Sequence, residues 1–236
     1  MSAAEARLIR EEEMSTRQRL ATAQAELSED SGDERGVSPL LNEVGELLRS
    51  LGQLEAAQSL FTEALDARRA KYGPAHPATL TSQNNLGLLL LQMGNHEAAH
   101  PLLLDATKTR RDTQGRRHPE TLTAMNNLAS LHKARNELDA AVALYREALD
   151  ARREALGSHN PDTLTSINNL ASCLMGQGKL HEAEPLLVEA SRTSKKVLGR
   201  DHPHSRIFAR NLSRLRQHPM MELIHREMGR EEEDFY

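Results

Sequence analysis

Apolar residues recur along most of the chain at the three-and-four spacing of a helix face. Leu86, Gly87 and Leu90 share one such face, Leu128, Ala129 and His132 the next, and Leu170, Ala171 and Leu174 another. The stretches "MGNHEAA", "ARNELDAA" and "GQGKLHEAE" then interrupt the periodicity with Gly or Asn and restart it with acids, as a helix start favours. A second amphipathic segment follows each break, for example "AAVALYREALDARREAL" at 140–156, and ends at a glycine suited to a C′ position. The pattern predicts a series of helical hairpins, with Gly87, Ala99 and their counterparts small where two helices approach closely.

The hairpins keep a fixed period. His76, His118, Asn160 and His202 each precede a proline at a constant step of 42, and Gly73, Gly115, Gly157 and Gly199 keep that step three residues ahead. Ala57, Ala99, Ala141 and Ala183 form another column, as do Ala64, Ala106, Ala148 and Ala190, and Leu60, Leu102, Leu144 and Leu186. So many columns without an insertion predict an all-α repeat architecture. The "HP" and "NP" pairs read as helix starts, because proline at the first helical position loses no hydrogen bond and the residue before it caps. Asn160 standing where the other copies have His argues for a cap, not a metal ligand or catalytic base.

The ends depart from the period. Residues 1–27 predict an N-terminal helical extension, and the acidic stretch "SEDSGDERG" places a flexible joint at 28–37. Units follow at about 38–75, 76–117, 118–159 and 160–201, then a capping helix at 202–217 whose Arg216 falls in the column of Leu48, Leu90 and Leu174. A polar residue there suits a terminal helix facing water. Beyond it, 218–236 predicts a short amphipathic helix, "MMELIHREM", and an acidic tail, "EEEDFY", which raises the question of self-binding.

Composition narrows the function classes. Aromatics are 3% and tryptophan is absent, so the core rests on Leu, Ala, Val, Ile and Met. The net charge is −4, with five Arg against nine acids in residues 1–36, which does not suit a nucleic-acid binder. No apolar run reaches the length of a membrane-spanning helix, and no secretory h-region opens the sequence. The single cysteine, Cys173, suits a cytoplasmic or other reducing intracellular compartment, with organelle import left open. Cys173 shares the column of Leu47, Leu89 and Leu131, which reads as a packing thiol. Gly-rich phosphate loops, paired cysteine motifs and nucleophile elbows are missing, so no catalytic, cofactor or metal residues are expected and an enzyme is not predicted.

Leu86, Gly87, Leu90, Ala99, Leu103 and Ala106, with "HPxTLTSxNNLA", "GQGKLHEAEPLL" and the closing "LGxxHP", resemble the tetratricopeptide repeat of the kinesin light chain type. The period of 42 replaces the usual ~34. The resemblance covers about residues 38–217 and implies a right-handed α-solenoid whose first helices line a concave peptide groove. True kinesin light chains carry a long N-terminal heptad segment, whereas positions 6, 9, 13, 16, 20, 23 and 27 form only a weak, short one here.

On that resemblance Thr81 and Asn85, Thr123, Asn127 and Ser130, and Thr165, Asn169 and Ser172 face the groove, and the last helix offers Arg210 and Arg214. Asparagine both donates and accepts, so Asn85, Asn127 and Asn169 suit the backbone of an extended peptide. Asn84, Asn126 and Asn168 suit bonds within the repeat instead. The first unit offers Glu43 and Glu46 where the last offers arginines, which favours an acidic partner segment directed toward the C-terminal end. The expected function is a protein-interaction scaffold or adaptor. The alternatives are an architectural subunit of a larger assembly and, less favoured, a kinesin-light-chain-like cargo adaptor.

Overall fold

The computed structural model describes residues 3–30 and 33–221. They form helices joined by short turns, with no strand among them: α1 Ala3–Glu29, α2 Asp33–Val37, α3 Pro39–Ser50, α4 Leu54–Tyr72, α5 Pro77–Gln92, α6 His96–Gln114, α7 Pro119–Ala134, α8 Leu138–Leu156, α9 Pro161–Gly176, α10 Leu180–Val197 and α11 Pro203–Arg216. None is long and apolar enough to cross a membrane. The chain divides into two compact units, Met1–Gly115 and Arg116–Tyr236.

Each helix start predicted at a His-Pro or Asn-Pro pair is a built cap. The Nδ1 atoms of His76, His118 and His202 accept from Ala78, Glu120 and His204 backbone N–H groups at 3.2, 3.3 and 3.2 Å. Asn160 does the same for Asp162 through its amide oxygen at 2.8 Å. A proline follows each capping residue, so both the donor-free nitrogen and the preset φ favour the start of the helix. Residues 52, 94, 136 and 178 form the turn between paired helices with positive φ; three are Gly and the fourth is Asn136 at φ 62°.

In the first unit α3 pairs with α4 and α5 with α6, while α4 also packs on α5. A Cβ on Gly87 would lie 2.7 Å from Leu103 Cγ, and one on Gly45 would lie 2.5 Å from the Phe61 ring. These glycines therefore set the spacing within each hairpin. α1 packs along α3 and buries Leu20, Ala23 and Leu27, the last three positions of the weak heptad, inside its own unit. The stretch expected to be a flexible joint contains α2, which packs on α4. Gly36 comes close enough to Ala67 to exclude a side chain, and Arg35 pairs with Glu63 at 3.1 Å. The acidic composition of that stretch concealed one turn of helix whose glycine permits close docking.

In the second unit α7–α8 and α9–α10 are the hairpins, α8 packs on α9, and α11 packs on α10. Ala129, Ala171, Ala183 and Ala190 are wholly buried beside Leu187, Leu164 and Ile167, and the Cys173 thiol lies among them. Burial raises the Cys173 pKa, so the thiol packs the core as expected. Residues 222–236, including the acidic tail, lie outside the described residues.

Candidate functional site

The doubled asparagines separate by burial. Asn84 and Asn126 are buried, and Asn126 donates to the Leu122 carbonyl at 2.8 Å, so this column is spent inside the helix packing. Its next member, Asn168, accepts from Asn211 of α11 at 2.8 Å and ties α11 to α9. The neighbouring column, Asn85, Asn127 and Asn169, is half-buried. The side chains of Asn85 and Asn169 form no hydrogen bond with the described residues.

The threonines are less available than the sequence suggested. Thr81, Thr123 and Thr165 each donate to the carbonyl four residues back, at Pro77, Pro119 and Pro161, at 3.0 Å. Thr81 also accepts from Arg110 at 2.9 Å, and Thr123 from Arg152 at 3.4 Å. Ser130 bonds the Asn126 carbonyl at 2.9 Å and the Tyr145 hydroxyl at 2.7 Å. Burial pushes the Tyr145 phenol up to about 12, so it stays neutral in that pair. Thr81, Thr123 and Ser130 thus hold first helices to second helices.

The arginines that occupy the threonines belong to a column that sequence reasoning missed. Arg68, Arg110 and Arg152 recur at the step of 42 and are 3%, 1% and 8% exposed. Arg68 donates to Ser82 Oγ at 2.7 Å and the Ser38 carbonyl at 2.8 Å, and Arg152 to Ser166 Oγ at 2.6 Å and the Asp162 carbonyl at 3.2 Å. Each ties its own second helix to the start of the following first helix. Burial lowers the pKa of both Arg68 and Arg152 below the usual arginine range, partly offset by Tyr72 and Asp162 respectively. The repeated Arg-Arg pairs at 68–69, 110–111 and 152–153 were the available signal.

Two of the remaining predicted residues, Ser172 and Arg214, meet at the C-terminal ends of α7, α9 and α11. A cavity of about 420 Å³ is lined there by Lys133, Ser172, Met175, Asn211, Arg214 and His218, with Gly176 and Leu180 completing it. Ser172 and Arg214 were expected in one groove and the structure brings them together. Lys133, Asn211 and His218 were not expected. Lys133 is half-buried and donates to Ser172 Oγ at 2.7 Å, and no carboxylate pairs with it among the described residues. Burial lowers its pKa, with a smaller opposing effect from Cys173. Arg214 is exposed at the same cavity and forms no ion pair among the described residues either.

The period explains one misplacement. Asn211, not Arg210, lies 42 residues after Asn169, so the asparagine column continues into α11 while Arg210 follows Asn168. Arg210 is exposed and does not line the cavity. The arrangement offers a half-buried cation, a second exposed cation, and serine and asparagine side chains around one opening. Such a set neutralises and hydrogen-bonds an anionic group. No group of three or more His, Cys, Asp or Glu among the described residues is arranged to hold a metal ion.

Two sequence models, both described as tetratricopeptide repeat, match the chain, one over residues 37–112 and the other over 121–162 and again over 163–204. No curated protein sequence matches significantly. Among solved structures, the nearly identical TPR-like repeats of a Podosopora anserina protein assigned as a kinesin light chain are 24% identical, with a TM-score of 0.69 over 81% of this chain and 90% of that one. BtubC (BKLC) from P. vanneervenii is 20% identical, with a TM-score of 0.67 over 82% of this chain and 78% of its own. A Rap protein complexed with Competence and Sporulation Factor is 14% identical, with a TM-score of 0.58 over 85% and 68%. At these identities the structures bear on the fold alone. Hairpin upon hairpin at a 42-residue step, with one sequence model falling on α3–α6 and the other on the hairpins from α7 to α10, makes this chain a member of the tetratricopeptide repeat family.

Proposed function

We propose that residues 38–217 are a non-catalytic interaction module, and that the first helices of its second unit hold an extended acidic peptide. One observation carries the reading: Lys133 is half-buried beside Arg214 without an acidic partner among the described residues. A cation held partly out of water costs free energy that a bound carboxylate would offset. Asn169 offers an unoccupied amide on the same run of helices, able to pair with a peptide N–H or carbonyl. The Rap protein captured with its factor supports the idea that this fold accommodates a partner. The buried Cys173 thiol, with its raised pKa, is poorly placed to be a nucleophile, in line with a non-catalytic role.

The test is fluorescence anisotropy with labelled Glu- and Asp-rich extended peptides against the full chain. Expected is roughly micromolar binding that weakens with salt, and about tenfold weaker binding for Asn169→Ala combined with Arg214→Glu. Equal affinity for the double variant, or for neutral peptides of the same length, would defeat the reading. Co-purification at fixed stoichiometry with a large assembly, without peptide binding, would indicate an architectural subunit instead.

A further inference from the structure

The cavity around Lys133 and Arg214 carries more positive charge than one carboxylate offsets. Its volume of about 420 Å³ falls within the roughly 300–1,000 Å³ of small-ligand sites. Among the described residues no acid lines it, so Lys133 and Arg214 bring two cations to one space with no balancing carboxylate. Elsewhere in the same unit the arginines beside a cavity are already neutralised. Arg146 pairs with Glu182 at 3.0 Å and Arg153 with Glu189 at 2.6 Å.

The donors outnumber the oxygens of a carboxylate as well. The Lys133 ammonium gives one N–H to Ser172 Oγ at 2.7 Å and retains others. Ser172 Oγ accepts that bond and keeps its own proton to donate. Asn211 spends one amide N–H on Asn168 at 2.8 Å and has another. Arg214 adds a planar fork that matches two oxygens of one anion. Gly176, the last residue of α9, lines the same cavity. Its φ lies outside the left-handed region, and a Cβ there would meet Leu138 at an ordinary 3.5 Å. Neither the backbone nor the packing therefore demands glycine, and the last residues of α5 and α7 are Gln92 and Ala134. Glycine at 176 leaves the cavity the space that a side chain would take.

We infer that, granted the peptide-binding reading on which this rests, the cavity takes a phosphorylated side chain of the partner peptide, its phosphoryl group held by Lys133 and Arg214. A phosphomonoester carries about two negative charges at neutral pH and three strong acceptor oxygens, which match the two cations and the surplus donors. Ser172 and Asn211 donate to the same oxygens, while Met175 and Leu180 cover the carbon atoms of the side chain that carries them. The donors converge on one cavity, as a single anionic side chain requires and a flat lipid surface does not.

Anisotropy with the full chain compares a labelled Glu-rich peptide, the same peptide with one central Glu replaced by phosphoserine, and the same with serine there. The phosphoserine peptide should bind at least about tenfold more tightly than the Glu peptide, and the serine peptide more weakly than either. Gly176→Gln, which fills the cavity, and separately Lys133→Met should each erase the advantage of phosphoserine over Glu, with circular dichroism verifying that both variants fold. A phosphoserine peptide no tighter than the Glu peptide would overturn the inference and leave the acidic-peptide reading standing. Absence of binding by all three peptides would defeat both. An advantage that survives both substitutions would place the phosphate elsewhere and so reject this cavity. Capture of phosphoinositide-containing vesicles without any preference for the phosphoserine peptide would reject it too, assigning the cations to a membrane.

Discussion

Arg152→Ala should destabilise the second unit by about 2–3 kcal/mol, whereas Arg153→Ala next to it should cost under about 1 kcal/mol. Arg152 is 8% exposed, and its guanidinium satisfies Ser166 Oγ at 2.6 Å, the Asp162 carbonyl at 3.2 Å and Thr123 Oγ1 at 3.4 Å. Truncation leaves those acceptors short of a donor and opens a void along the arginine stem. Arg153 forms one ion pair, with Glu189 at 2.6 Å, and both side chains are about a third exposed. Water replaces most of what that pair provides. Urea titration monitored by circular dichroism checks the contrast. Equal midpoints for the two variants would mean that the buried column contributes no more than a surface charge.

Lys133→Met should leave the fold intact, or stabilise it by up to about 1 kcal/mol, and still weaken acidic-peptide binding by at least about tenfold. Burial is the main cause of the lowered Lys133 pKa, so folding disfavours its charged form. The unfolded chain therefore binds more protons between the lowered pKa and the ordinary lysine range. Stability from this group rises with pH through that alkaline window and is at its least below it. The variant should lose that rise, and a bound carboxylate should suppress it by favouring the ammonium. Melting curves at neutral and alkaline pH, with and without peptide, separate the two effects. A destabilised variant that binds peptide normally would assign Lys133 to the framework.

The two expectations show where sequence reasoning reached and where it stopped. The step of 42, the helix starts at His76, His118, Asn160 and His202, and the small residue at Gly87 were legible because each obeys a local rule. Arg152 was not, since its neighbour Arg153 has the same letter and differs only in the side of α8 it occupies. A long apolar stem lets a guanidinium reach between helices, and no hydropathy pattern reports that. Lys133 stood out only as a departure from Leu91 and Met175 in its own column. Asn211 lay in plain register with Asn169, yet attention to charge favoured Arg210. Asn168 became intelligible only once α11 supplied Asn211 as its partner.

The proline-linked caps also show what the start of a first helix demands of its sequence. In α5, α7 and α11 the acceptor is an imidazole nitrogen, Nδ1 of His76, His118 or His202, and in α9 it is the amide oxygen of Asn160. Both kinds of atom reach the backbone N–H two residues on, so the position requires an acceptor at one place and not one particular side chain. Histidine and asparagine are interchangeable there, and one substitution in an otherwise repeated dozen residues leaves α9 with the same start as its neighbours.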